Sequence, residues 1–309
     1  MRGRRIRLAI ILITVVSCAP QRLHGQSADR QASASFTAVE VSRERRYQVD
    51  ARVRPLLFWI RKSNIGDGRL TWRTGPDRTV GYELLVGSDP ARAPRHINRW
   101  GYLREESGAS GAVVFGVMSQ SDEKSVEDAD RGTRRTDGIH AFKALQQFLT
   151  GSQARVTVSD VHVRKDLTYT DLDLLLSAVP GAPSKTKTVA IAQWSAPGFL
   201  AAAASLMEEG RTAVRKATSA HDLVRIYPYN GELYELQLLS AEHVDRSTRE
   251  GRFFCPAIRG RFRVLNGSTG KETLFTIVYG LEGDLTGVPL LISWRPRWWL
   301  EIECTLRND

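Results

Sequence analysis

From Leu223 to Leu306 the sequence reads as β-strand almost without a break, and that run constrains the fold more than any other part of the chain. Leu223–Tyr227, Leu233–Val244, Arg252–Leu265, Glu272–Tyr279 and Val288–Leu306 are rich in the branched and aromatic residues that suit a pleated, half-buried surface. The last of them alternates best. Trp294, Trp298, Leu300, Ile302, Cys304 and Leu306 share one parity, and Arg295, Arg297, Glu301, Glu303, Thr305 and Arg307 share the other, which predicts one buried and one wet face. A run of about five or six long strands with one apolar face must cover that face. A curved antiparallel sheet, a half barrel, with one main helix in its concavity satisfies the pattern. The helix is expected over 197–213, where Ser195 and Pro197 precede an Ala-rich body.

The amino-terminal half predicts a second β-rich unit, so the fold class is α+β with two domains. Val53–Ile60, Arg69–Arg73, Tyr82–Val86 and Val113–Met118 are short strand-like runs between turn signals built on Gly, Asp and Pro. Ile139, Phe142, Leu145, Phe148 and Leu149 fall at helical spacing, which predicts a helix over 139–149, and Ser125–Asp130 reads as a short acidic helix. Arg155–Val163 alternates as a strand, and Thr170 reads as the cap of a helix over Leu174–Val179. Two prolines and a glycine within 179–185 mark a linker at 180–185. It would divide an N-terminal domain, 51–179, from a C-terminal domain, 186–309.

The chain starts with Arg2, Arg4, Arg5 and Arg7, then an apolar run from Leu8 to Val16 broken only by Thr14. That run is about half of the ~20 residues a membrane-spanning helix needs, so it reads as an export signal over residues 1–25. Two endings stay open. Val15-Val16-Ser17-Cys18 fits a permissive lipobox with Cys18 as the lipidation site, and cleavage after Gly25 would make Gln26 the first residue of a soluble periplasmic or secreted protein. The Arg4-Arg5 pair matches a twin-arginine signal poorly in its surroundings. Residues 26–50 read as a Ser/Ala/Gln-rich tether leading into the first strand region. The formal net charge of +10 falls to +5 once the five arginines of residues 1–25 are set aside, and the remaining cations are dispersed among acids. No nucleic-acid-binding face is expected from that distribution, and contact with a membrane is expected only through a lipid anchor.

One resemblance covers roughly residues 223–309. The order of long strands, ending in Leu281-Glu282-Gly283-Asp284-Leu285-Thr286-Gly287-Val288-Pro289-Leu290 and two further strand segments, resembles a class of uncharacterised exported bacterial proteins. Their half-barrel sheet is similar in shape to periplasmic lipoprotein carriers. The resemblance implies a fold and an envelope address, with carriage of a lipid or other apolar ligand as an analogy.

Catalytic chemistry leaves little trace. His24, His96, His140, His162, His221 and His243 are isolated, and the chain carries no nucleophile elbow, phosphate-cradling glycine loop or Cys-x-x-Cys. No catalytic residue, metal ligand or cofactor is assigned. The run Asp122, Glu123, Glu127, Asp128, Asp130 reads as a solvated face, and Asp67, Asp77 and Asp89 as turn residues bonding local amides. Cys255 and Cys304 are candidates for a disulfide, although strand parity puts them on unlike faces. Two aromatic-basic stretches stand out. In Trp294-Arg295-Pro296-Arg297-Trp298-Trp299, parity assigns Trp294 and Trp298 to the core and leaves Arg295, Arg297 and Trp299 as a candidate binding surface; Arg95–Tyr102 offers a weaker one. Two functions follow. One is a non-catalytic envelope protein binding an apolar ligand or a protein partner. The other is an envelope hydrolase acting on glycan or lipid with carboxylates far apart in sequence.

Overall fold

The computed structural model describes residues 40–54, 59–75, 78–119, 139–191, 194–218, 223–247, 254–298 and 300–307. The export signal, Cys18, most of the tether, Asp77 and the acidic 122–130 run lie outside these residues.

The strands are β1 (Glu40–Val53), β2 (Ile60–Thr74), β3 (Val80–Ser88), β4 (Trp100–Gly108), β5 (Gly111–Ser119), β6 (Ile139–Thr150), β7 (Gln153–Arg164) and β8 (Ser184–Ala190), then β9 (Leu223–Tyr229), β10 (Glu232–Ser247), β11 (Phe254–Asn266), β12 (Glu272–Gly280), β13 (Pro289–Arg297) and β14 (Leu300–Leu306). Among the described residues two α-helices accompany them, α1 (Leu172–Ala178) before β8 and α2 (Phe199–Arg215) before β9. All fourteen strands form one antiparallel sheet in the order 8-7-6-5-4-3-2-1-14-13-12-11-10-9. Chain neighbours pair with each other, and the first strand pairs with the last, from Tyr47 opposite Leu306 to Val53 opposite Leu300. The two-domain division expected from the sequence is not seen: residues 180–183 lead from α1 directly into β8, which pairs with β7 in the same sheet.

The two outer strands approach each other without pairing. Ser195 and Ala196 donate their N–H groups to the Ile226 carbonyl of β9 at 2.8 and 3.1 Å, and the Ser195 hydroxyl accepts the Ile226 N–H at 2.8 Å. From β6, Gln147 donates to the Pro228 carbonyl at 2.9 Å and accepts from the Gly231 N–H at 3.3 Å. The result is an open, strongly curved sheet with a barrel-like interior.

The interior is filled from the chain itself. Phe199, Leu200, Ala202, Ala203, Leu206, Met207 and Gly210 form the buried face of α2. Leu236, Leu238, Ile258, Phe262 and Tyr279 of the carboxyl-terminal strands belong to the same core as Leu103, Val114 and Leu145 of the amino-terminal strands. Phe199 lies 6.0 Å from Tyr227 and 5.9 Å from Phe275 between ring centroids, and Phe262 stacks on Phe275 at 5.2 Å. Each such side chain contributes about 1.5–3 kcal/mol by burial. A second, smaller core lies on the other face of the amino-terminal strands, where Leu172 and Leu175 of α1 cover Trp100, Tyr102, Phe142 and Val161.

Several local expectations change. Residues 139–149 are not a helix but most of β6. Val53–Ile60 is not one strand: Val53 ends β1 and Ile60 starts β2. Val288–Leu306 is two strands joined by a tight turn, and β4 and β8 were not foreseen. The cap near α1 belongs to Thr168, whose N–H donates to Asp171 Oδ2 at 2.9 Å in a capping box, and not to Thr170. The main helix stands where it was expected, two residues later at each end, with Gly198 at its N-cap.

Candidate functional site

The expected binding surface falls at one corner of the sheet, where the β1–β2 and β13–β14 hairpins stand side by side. Val53 is opposite both Ile60 and Leu300, and Leu300 is opposite Arg297, so four strand ends meet there. Trp294 is buried at 3% exposure, as parity predicts. Trp298 is not core: it sits in the turn between β13 and β14 and is 69% exposed, because the tight turn breaks the alternation that would have carried it inward. Trp299 lies outside the described residues. Arg295 is exposed and crosses the corner, with its guanidinium carbon 5.3 Å from the ring centroid of Trp59 and a bond to Glu301 Oε2 at 3.2 Å. Arg297 is half-buried near Lys271, whose ammonium is held below its ordinary value by burial and then by the Arg297 charge.

A set of ion pairs props the corner from beneath. Asp50, wholly buried on β1, accepts from Gln48 at 2.8 Å, from the Asn64 N–H at 2.8 Å and from Arg61 at 3.0 Å. Arg61 also reaches Glu303 at 3.2 Å, and Arg52 approaches the same carboxylate at 3.5 Å. Beside it Asp67 is no turn residue: it lies in β2 and takes bonds from Tyr169, Arg92 and Arg307. Burial opposes its charge, but Tyr169, Arg92 and Arg307 outweigh burial and hold it below the ordinary carboxylate range. Asp89 does behave as a turn residue, accepting the Ala91 N–H at 2.8 Å.

The interior holds one unusual carboxyl group. Glu105 of β4 is 1% exposed and accepts the N–H groups of Leu200 and Ala201 at 2.8 and 2.9 Å, so it satisfies the first turn of α2 from a strand far away in sequence. Burial pushes its pKa up to about 7, against the opposing pull of those helix amides. A Cβ on Gly198 would stand 2.4 Å from the Glu105 carboxyl carbon, which shows how closely the helix start is fitted to it. Its surroundings are Tyr82, Tyr227 and Tyr229, all raised by burial. Among the described residues, no second carboxylate is among the groups that shift it.

The other candidates settle as structure. Cys304 is a free, buried thiol, pushed up to about 12 by burial and then by Asp50 and Glu303. Cys255 is on β11, and β12 and β13 lie between that strand and β14. Three strand spacings of about 4.8 Å exceed the reach of a disulfide, so the pairing of Cys255 with Cys304 is not made. His140 is 6% exposed, its pKa lowered to about 4 by burial and by Arg99 and Lys165. In the Arg95–Tyr102 stretch, Trp100 and Tyr102 are core and Asn98 donates to the Leu167 carbonyl at 2.7 Å, while His96 is exposed. Among the described residues no group of three or more His, Cys, Asp or Glu side chains forms a metal-binding cluster, and no helix is long and apolar enough to cross a membrane.

Sequence reasoning found Arg295 and Arg297 but missed Trp298, because it read 288–306 as one strand, and Trp59 and Lys62, because it ran a strand over Val53–Ile60 where one strand ends and the next begins. Glu105 left no local signal at all. No family model and no curated protein matches the sequence. Among solved structures, the chain is similar to the crystal structure of a beta-barrel-like protein of domain of unknown function DUF1849 from Brucella abortus, with 8% identity and a TM-score of 0.41 over 88% of this chain and 98% of that one.

Proposed function

We propose that the protein is a non-catalytic binding or scaffold protein of the cell envelope, exported under its amino-terminal signal, which engages an apolar ligand or a protein partner. Recognition is assigned to the outer surface of the sheet and not to its interior. The observation that carries this reading is that α2 occupies the concave side, with Phe199, Leu206 and Met207 buried among the side chains an open carrier would offer to a ligand. Glu105, the buried carboxyl group with the titration of a general acid, is spent on the helix amides.

A photo-crosslinking residue placed at position 298, with one at exposed Leu174 on α1 as control, tests the reading in cells. The expected result is a discrete adduct from position 298 and none from 174. A stoichiometric apolar ligand extracted from the purified protein, with no adduct at 298, would place recognition in the interior and overturn it.

A further inference from the structure

The corner of the two hairpins carries more cations than its own carboxylates neutralise. β3 pairs with β2 only from Gly66 onward, opposite Ser88, and the Asp89 N–H donates to the Ile65 carbonyl, so residues 60–64 of β2 run on beyond β3 beside the paired ends of β1 and β14. At these strand ends Trp298 is 69% and Ile60 50% exposed. Around them the described residues of the two hairpins carry Arg52, Arg54, Arg61, Lys62, Arg295 and Arg297 against Asp50, Glu301 and Glu303. The carboxylates lie at the base, with Asp50 buried and Glu301 and Glu303 nearly so, while Arg61, Lys62 and Arg295 are exposed.

We propose that this corner docks the protein on an anionic lipid surface, with Trp298 seated among the headgroups and the cations around it facing lipid phosphate. The inference rests on the outer-surface reading above and names the class of partner. Two features favour lipid over a folded protein. A protein interface needs about 800 Å² per partner around a packed apolar centre, and a tip of strand ends whose two large exposed apolar side chains are Ile60 on β2 and Trp298 in the β13–β14 turn supplies no such centre. A headgroup layer deforms around such a tip and accepts each side chain separately. An indole beside cations with long alkyl stems is also the combination that partitions to the membrane–water interface, where each basic residue near an anionic surface contributes about 1 kcal/mol.

The test is co-sedimentation of the full-length protein with phosphatidylcholine vesicles and with vesicles of phosphatidylcholine and phosphatidylglycerol, for the wild type, Trp298→Ala and Lys62→Glu. Both substituted side chains are exposed, so the fold is retained, and any contribution of the amino terminus is common to all three proteins. The expected result is preferential binding to the anionic vesicles that weakens with salt, reduced about fivefold or more by either substitution. Tryptophan quenching by brominated lipid should also fall in Trp298→Ala. Equal binding to both vesicle types, or binding unchanged by both substitutions, overturns the proposal. Absence of vesicle binding by a protein that crosslinks a discrete polypeptide through position 298 overturns it too, and leaves the outer-surface reading standing.

Discussion

Both oxygens of Glu105 accept backbone N–H groups at the start of α2, yet burial still raises its pKa from 4.5 to about 7. The folded state therefore holds this proton more tightly than the unfolded chain. The resulting stability is present in full below about pH 4.5 and lost as pH rises through about 7, a difference of about 3 kcal/mol at one pKa unit per 1.36 kcal/mol. His140 acts in the opposite sense. Its pKa falls from 6.5 to about 4, so its contribution is present above pH 6.5 and lost as pH falls toward 4. In the wild type the two slopes largely offset between pH 4.5 and 6.5. Glu105→Gln removes one of them, and the urea midpoint of the variant is expected to rise with pH across that window while the wild type stays nearly level; parallel curves would show that Glu105 does not titrate there. None of this was legible in the sequence. Glu105 is followed by Glu106, which pairs with Arg104 on the other face of the sheet, and the two residues look alike until the strand assigns them to opposite sides.

At the scale of elements, the packing of α2 on the sheet leaves no room for a side chain at position 210. A Cβ there would stand 2.6 Å from Tyr279 Oη and 3.0 Å from a Leu238 methyl group. Gly210→Ala gains about 1 kcal/mol in helix propensity but overpacks a fully buried site, which typically costs about 1–3 kcal/mol. A net loss is expected, seen as a melting temperature several degrees below wild type; a rise would mean that the helix can retreat from Tyr279. The helix and the carboxyl-terminal strands were readable because each has one main apolar face, and β3 and β5, apolar on both, because their branched runs are short and bounded by turn signals. β6 was misread because it has two: Phe142 and Ala144 pack under α1, Leu145 and Leu149 pack in the interior, and apolar residues on both parities imitate helical spacing. β8 was missed for the opposite reason. It is an edge strand of Ser, Lys and Thr, exposed almost throughout, with lysines of the kind that discourage a further strand from adding on. At the corner, Trp298-Trp299 carries no Gly, Asn or Asp to announce a turn, so the hairpin hid inside an alternating run.

For the whole molecule, the proline-rich segment near 180 marks a change of direction, while the interior core draws side chains from both halves of the sheet. Denaturant unfolding followed by tryptophan fluorescence and by far-ultraviolet circular dichroism is accordingly expected to give one coincident transition; two separated transitions would restore two independent units. The pairing that ties the halves together is that of β1 with β14, and its register runs to Leu306. The partner of β1 is thus synthesised after every other strand among the described residues. Until it arrives, β1 and β13 each present an unbonded backbone edge, which invites another chain to add on. A nascent or prematurely terminated chain is left with a sticky seam down its middle, and only a chain that includes β14 can close it.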